Sequence, residues 1–185
     1  MKVFYGAESY NLGASVVALG TFDGVHAGHR ALIGRAMEIA RAEKLVCAVC
    51  TFDRHPMQTL CPEKCPRQLM TPEEKLKAFE EIGVDAAVVQ AFTREAARTE
   101  AEEYLESLVR ALDVRCVVAG FNYTFGAGGR GNAEMIREKA ERLGIRAEIV
   151  DAVRDDGEVV SSTLIRRLIE TGEDARVERL IHGTR

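Results

Sequence analysis

His26 and His29 stand three residues apart, Asp23 lies three before the first of them, and Gly20, Gly24 and Gly28 are interleaved. The run Gly20-Thr21-Phe22-Asp23-Gly24-Val25-His26-Ala27-Gly28-His29 follows an apolar, strand-like stretch (Ser15 to Leu19) and opens a helix-patterned one (Ala31 to Ala42). A strand feeding a glycine-rich turn and a helix start makes an anion site. The first N–H groups of a helix have no partner within it, and the positive end of its dipole faces outward. Glycine tolerates unusual backbone angles and leaves no Cβ in the way of a close ligand. Residues three apart share a helical face, so both imidazoles can donate toward a phosphate. Two other chemistries are open to these residues. His26, His29 and Asp23 are three ligands toward a zinc site, short of the four that a closed structural site takes. A purely structural turn accounts for the glycines but leaves two histidines and an aspartate at a helix start unexplained.

A second chemical cluster lies near the end of the chain, where Ser161-Ser162-Thr163-Leu164-Ile165-Arg166 follows the turn-forming Asp155-Asp156-Gly157 and begins another helical pattern. Ser162 or Thr163 can cap that helix, and Thr163 and Arg166 share a face. Hydroxyls, free N–H groups and a guanidinium can then meet a polyphosphate; the plainer reading is an ordinary cap followed by a surface arginine. Two further blocks, Thr51-Phe52-Asp53-Arg54-His55-Pro56 and Gly120-Phe121-Asn122-Tyr123-Thr124-Phe125-Gly126, say less by chemistry alone, because their aromatic, histidine and proline residues could simply pack.

Together, these four ordered blocks closely resemble the signature of the prokaryotic bifunctional FAD synthetases, within the wider His-x-Gly-His nucleotidyltransferase superfamily. The resemblance runs through most of the chain and implies an α/β, Rossmann-like nucleotidyltransferase fold. It also implies FMN adenylyltransferase activity, in which the phosphate of FMN attacks the α-phosphate of ATP to give FAD and pyrophosphate. By the same resemblance His26, His29, Asp23 and Arg166 are catalytic, Gly20, Phe22, Gly28, Ser162 and Thr163 bind ATP, and His55, Pro56, Asn122 and Phe125 shape the flavin side. Magnesium is expected to ride mainly on substrate phosphates and water rather than in an all-protein site. Asp23 is left with two roles, orienting a histidine or reaching a hydrated magnesium. Two positions depart from the family pattern: Arg54 stands where a proline is usual, and Arg130, within the glycine-rich run Gly126 to Asn132, sits one position off the common spacing, which predicts a mobile segment. Other members of the superfamily use different phosphate-bearing acceptors or CTP, and a flavin-nucleotide binding module without turnover is the rival outside enzymes.

The family normally continues into a riboflavin kinase module, whereas the sequence ends at Arg185, just past the helix-patterned Asp174 to Ile181. The expectation is an adenylyltransferase domain over residues 1–172, then a helical segment, 173–185, that packs poorly because the module it leads to is absent. Riboflavin phosphorylation is expected to be missing with it.

Composition is consistent with this organisation. A chain of 185 residues, 46% hydrophobic, can bury a core as one domain, and a net charge of −4 gives no broad basic surface for nucleic acid. No apolar stretch approaches the roughly 20 residues of a membrane span, nor does the N-terminus carry a signal-peptide pattern, so a cytoplasmic protein with reduced thiols is expected. Cys47 and Cys50 fall in an apolar strand-like run, where positions three apart face opposite sides, so they read as core rather than as a redox pair; Cys61 and Cys65 lie in a loop without partners for a metal.

Strand patterns near 15–20, 45–51, 84–90, 114–119 and 145–150 alternate with helical patterns near 27–43, 72–82, 100–112 and 132–143. This alternation predicts a mostly parallel, five-stranded sheet with helices on both faces. Open sheets of this kind bind ligands beyond the carboxyl ends of their strands. The chemical blocks all follow predicted strands or start helices, so they can converge on one cleft.

Overall fold

The computed structural model describes residues 1–183; Thr184 and Arg185, the end of the expected C-terminal segment, lie outside the described residues. Strands β1 (Lys2–Tyr5), β2 (Ser15–Leu19), β3 (Val46–Phe52), β4 (Ala86–Gln90), β5 (Val114–Gly120) and β6 (Arg146–Val150) form one sheet in the order β1-β4-β3-β2-β5-β6, every neighbouring pair parallel. The sheet thus has six strands rather than the five expected. The addition, β1, escaped because it is a four-residue edge strand with three of its positions exposed, so neither an apolar run nor a clean alternation marks it. Its pairing with β4 shows only in three dimensions.

The central strands are apolar on both faces, as a sheet covered on both sides requires. Val16 and Ala18 of β2 join a core beneath α1 (Ala27–Glu43) and α3 (Pro72–Ile82), containing Ile33, Ala36 and Phe79. Val17 and Leu19 point the other way, into a core with Leu105 and Leu108 of α4 (Ala101–Ala111) and Ile136 of α5 (Ala133–Leu143). Cys47 and Cys50 divide between these two cores as their spacing predicts, both buried and unbridged. Burial pushes each thiol up to about 12, so neither is a thiolate near neutrality.

Local signals set the helix ends. Thr71 and Glu74 make a reciprocal capping box at α3, with Pro72 in its first turn, and Gly83 ends that helix in the left-handed region. A short helix, α2 (Pro56–Leu60), follows β3 where only a loop was expected. His55 caps it: its Nδ1 accepts the Met57 N–H at 3.2 Å.

After β6 the chain makes a small hairpin, β7 (Arg154–Asp155) and β8 (Glu158–Val159), then α6 (Ser162–Glu170) and α7 (Asp174–His182). The expectation that the last segment packs poorly is corrected for its described part. Leu180 of α7 is buried against Leu164, Ile165 and Leu168, and Arg176 bonds Asp155 and Glu158. The Ile181 carbonyl also accepts from Nε of Arg30, on α1. The glycine-rich segment after Phe125 is likewise held rather than loose. Phe125 and Gly131 exchange backbone hydrogen bonds, and Ala127 N–H donates to the Thr99 carbonyl at 2.8 Å. A Cβ on Gly126 would lie 2.4 Å from Ala101, which is the close approach that glycine permits.

The chain runs outward from β2 through β3 to β4, then returns to place β5 on the other side of β2. That reversal opens a crevice at the carboxyl ends of the central strands.

Candidate active site

A cleft of about 420 Å³ occupies this crevice, and the four sequence blocks meet around it. Gly20, Asp23, His26, Gly28 and His29 come from the β2–α1 segment, His55 from the turn after β3, Asn122 from the turn after β5, and Ser162, Thr163 and Arg166 from α6. A second cavity of about 350 Å³ adjoins it, lined by Asp53, Arg54, Gln58, Gln68 and Lys75 among others; Thr21, Asp23 and His55 border both.

His26 is the N-cap of α1, and its Nδ1 accepts a long hydrogen bond, 3.4 Å, from the backbone N–H of His29. Neutral His26 therefore carries its proton on Nε2, leaving that N–H as its free donor. The His29 ring stacks on it, centroids 3.8 Å apart and planes 16° from parallel. Burial lowers the His26 pKa to about 4. His29 is held well below the ordinary histidine range by burial first, then by neighbouring His26 and Lys75. In the ligand-free protein these are neutral hydrogen-bond donors rather than charges. The Nδ1 of His29 is buried without a partner among the described residues.

The backbone that delivers them is strained. Phe22 (φ 53°), Gly24 (φ 90°) and Val25 (φ 35°) lie at positive φ, which is costly for Phe and Val and persists only where surrounding structure enforces it. Phe22 does not line the cleft. Fully buried, it meets His29 edge-on at 5.2 Å and Phe79 at 5.4 Å, so it props the imidazole from behind. Its ring covers Gly20, where an added Cβ would lie 2.9 Å away.

Asp23, 6% exposed, ties together three segments distant in sequence. One carboxylate oxygen accepts the Leu69 N–H at 2.9 Å, the other pairs with Arg166, and its carbonyl accepts from Ser162 Oγ at 2.8 Å. Arg166 also donates from Nε to the Arg67 carbonyl at 2.7 Å, so two of its three nitrogens are engaged. Both side-chain oxygens of Asp23 thus hold protein partners, a tie between segments that comes in addition to the two expected roles, orienting a histidine or reaching a magnesium. The helix cap also differs from expectation. Ser161, rather than Ser162 or Thr163, caps α6 by accepting the Leu164 N–H. Ser162 is thereby free to reach Asp23.

Other predicted residues fall differently. His55 and Asn122 line the cleft, whereas Pro56 sits in the first turn of α2. Phe125 is buried beneath the site, stacked on Tyr123 at 5.7 Å, and it is Tyr123 and Thr124 that reach the lining. Arg54 pairs with Asp53, and Arg130 points to Glu100 at 2.7 Å. Cys61 hydrogen-bonds the Glu63 carboxylate at 2.6 Å. Among the described residues no cluster of three or more His, Cys, Asp or Glu could hold a metal by itself.

Lys75 was missed from sequence. From α3 its Nζ donates to the Thr21 carbonyl (3.2 Å), Thr51 Oγ1 (3.2 Å) and the Phe52 carbonyl (3.0 Å), at the carboxyl ends of β2 and β3. Burial lowers its pKa, with Asp23 and Asp53 acting the other way. One signal was available: it is the fourth residue of its helix, near the positive end where a cation is disfavoured, so a stronger constraint had to place it there.

The family model for FAD synthetase matches residues 9–164. The chain is 34% identical over 161 residues to the bifunctional riboflavin kinase/FMN adenylyltransferase of Bacillus subtilis, covering 86% of this chain and 50% of that protein. It is 36% identical over 167 residues to the protein of the same description from Listeria monocytogenes, covering 90% and 53%. It thus spans about half the length of these two relatives. Among solved structures, one described as a macrolide-efflux protein from Streptococcus pneumoniae superposes with a TM-score of 0.86 at 28% identity, covering 98% of this chain and 60% of that one. No helix among the described residues is long and apolar enough to cross a membrane. With a single model matching from before β2 into α6, across the first three blocks and into the fourth, the chain belongs to the FAD synthetase family.

Proposed function

We propose that this chain is an FMN adenylyltransferase that transfers AMP from ATP to FMN, giving FAD and pyrophosphate. The observation that carries the reading is the convergence of two helix starts on one cleft: α1 with its stacked, neutral His26 and His29, and α6 with Thr163 and Arg166. A phosphate oxygen of FMN forms the new bond to the α-phosphorus of ATP, and the bond to the pyrophosphate oxygen breaks. No covalent intermediate on the protein is required, because such transfers depend mainly on alignment and charge stabilisation.

His26 and His29 donate N–H groups to phosphate oxygens, and an arriving polyphosphate, being anionic, raises their pKa values toward protonation. The glycine-lined start of α1 lets the phosphates approach the backbone. Arg166 exchanges part of its pairing with Asp23 for the phosphates, while Ser162 and Thr163 complete that wall. His55, Asn122 and the turn carrying Tyr123 and Thr124 border the flavin side, with Pro56 and Phe125 supporting them from behind. Magnesium, when bound, would be held mainly by the substrate phosphates and water rather than by this chain's residues, and would supply charge neutralisation.

We assign the adenylyltransferase domain to residues 1–172, with the described part of 173–185 forming α7, which packs against α6; a riboflavin kinase module is the expected covalent neighbour in the family. Work on free ATP and FMN fits a cytoplasmic setting. Incubating the chain with FMN, ATP and magnesium and separating the flavins by chromatography tests the reading. FAD and pyrophosphate are expected in equal amounts, and FMN recovered unchanged would refute it.

A further inference from the structure

Lys75 belongs to none of the four sequence blocks, yet it lines the smaller cavity and its ammonium bonds Thr21, which borders both cavities. A lysine offers three N–H donors, and here three acceptors receive them: two backbone carbonyls and a threonine hydroxyl, all within 3.2 Å. Thr21 lies just past the end of β2 and Phe52 is the last residue of β3, so the two carbonyls sit at the carboxyl ends of neighbouring strands. We propose that Lys75 is a positioning residue that bolts the β2–α1 segment to the β3–α2 turn, fixing the two segments that bring His29 and His55 to the cleft. This rests on the adenylyltransferase reading for what the bolt serves, though not for the bolt itself.

The arrangement explains two features together. A half-buried cation with all three donors satisfied by protein has no donor left for substrate, so Lys75 acts through the loops it holds. Its charge also opposes protonation of both histidines. Around His29 the charged or titratable neighbours are His26 and Lys75, and around His55 they are Asp23, Arg166 and Lys75. The carboxylates facing Lys75 itself are Asp23 and Asp53. Lys75 is thus the one cation acting on both rings, and it helps keep them as neutral donors until an anion arrives.

Lys75→Met and Lys75→Arg test this with two readouts. In FAD formation, Lys75→Met is expected to lower kcat roughly tenfold to a hundredfold, the scale of a small misplacement of reacting groups, with smaller changes in KM. Lys75→Arg, which restores a cation but not three donors at one point, is expected to recover only part of that loss. In the ligand-free protein, histidine titration followed by NMR is expected to show the His55 pKa rising in Lys75→Met and staying near the parent value in Lys75→Arg. A folded Lys75→Met with parent kcat, or with an unmoved His55 titration, overturns the proposal. Should Lys75→Met fail to fold, Lys75→Gln, which keeps a donor for one carbonyl, is held to the same two criteria. Absence of FAD formation by the parent refutes the activity instead, and leaves the titration to decide on Lys75.

Discussion

His26 and His29 form a stacked pair, and their predicted effects differ. His29→Ala is expected to lower FAD formation by roughly a hundredfold or more, the usual scale for losing a preorganised donor. Melting should show that the protein still folds, and near-parent turnover in that folded variant would remove His29 from the mechanism. His26 makes a pH prediction. Its folded pKa, about 4, lies below the ordinary value of 6.5, so between these two pH values the unfolded chain binds more protons than the folded one. Stability is therefore full above about pH 6.5 and declines as pH falls toward 4, by about 3 kcal/mol in all. His29 contributes in the same direction. His26→Asn keeps a good N-cap that cannot titrate, so its melting temperature should fall less than the parent's between about pH 7 and pH 4.5. Parallel curves for the two proteins would contradict the assignment. At this scale the sequence was legible wherever residue type and spacing were the message, as in the His-x-x-His pair. For Lys75 it offered only a cation near the positive end of a helix, and it was silent on the Asp23–Arg166 pairing, because two ions 143 residues apart leave no local pattern.

At the scale of elements, the glycine-rich turn is the part whose conformation sequence could suggest but not measure. Gly24 at φ 90° faces Leu69, and an added Cβ would fall 2.8 Å from its Cδ1. Gly24→Ala thus combines backbone strain with a clash against the residue whose N–H Asp23 accepts. It is expected to cost about 1–3 kcal/mol, read as a drop in melting temperature, and to lower FAD formation more than melting alone explains. A parent-like melt would show that the turn relaxes freely. Strand and helix positions were readable because burial on both faces made β2 to β5 continuous apolar runs and because caps such as Thr71 and Gly83 are local. β1 and α2 were not, being too short for either period to register. Phe125 misled for a related reason: an aromatic between polar residues looks like a binding wall, and only packing against Tyr123 and Gly131 shows it to be core.

For the molecule as a whole, the segment after α6 is part of the folded unit. Leu180 is 4% exposed within a small cluster beside the hairpin. Leu180→Ala is expected to destabilise by about 2–3 kcal/mol, the lower part of the range for such truncations, since the cluster is small enough to relax. Chemical denaturation would measure this, and a change below about 0.5 kcal/mol, the scale of ordinary surface substitutions, would mean that α7 is not docked in solution. The α/β class and the convergence of the four blocks were legible because alternation of elements dictates a parallel sheet and its ligand-binding edge. How the C-terminal segment packs was not, because it rests on ion pairs of Arg176 with Asp155 and Glu158 that composition does not announce.

The ties that Asp23 makes to Leu69, Ser162 and Arg166 also impose an order in time. A ribosome releases the chain from its N-terminus, and every strand of the large sheet has been made once Val150 emerges. The aspartate's last two partners are then still to emerge. A nascent chain therefore holds a finished sheet beneath an unfinished cleft, with the Asp23 carboxylate lacking its counter-ion. The cleft is completed late, when α6 brings Ser162 and Arg166 to Asp23 and closes the triangle. An Asp23 held on all three sides thus marks a chain whose synthesis has passed α6.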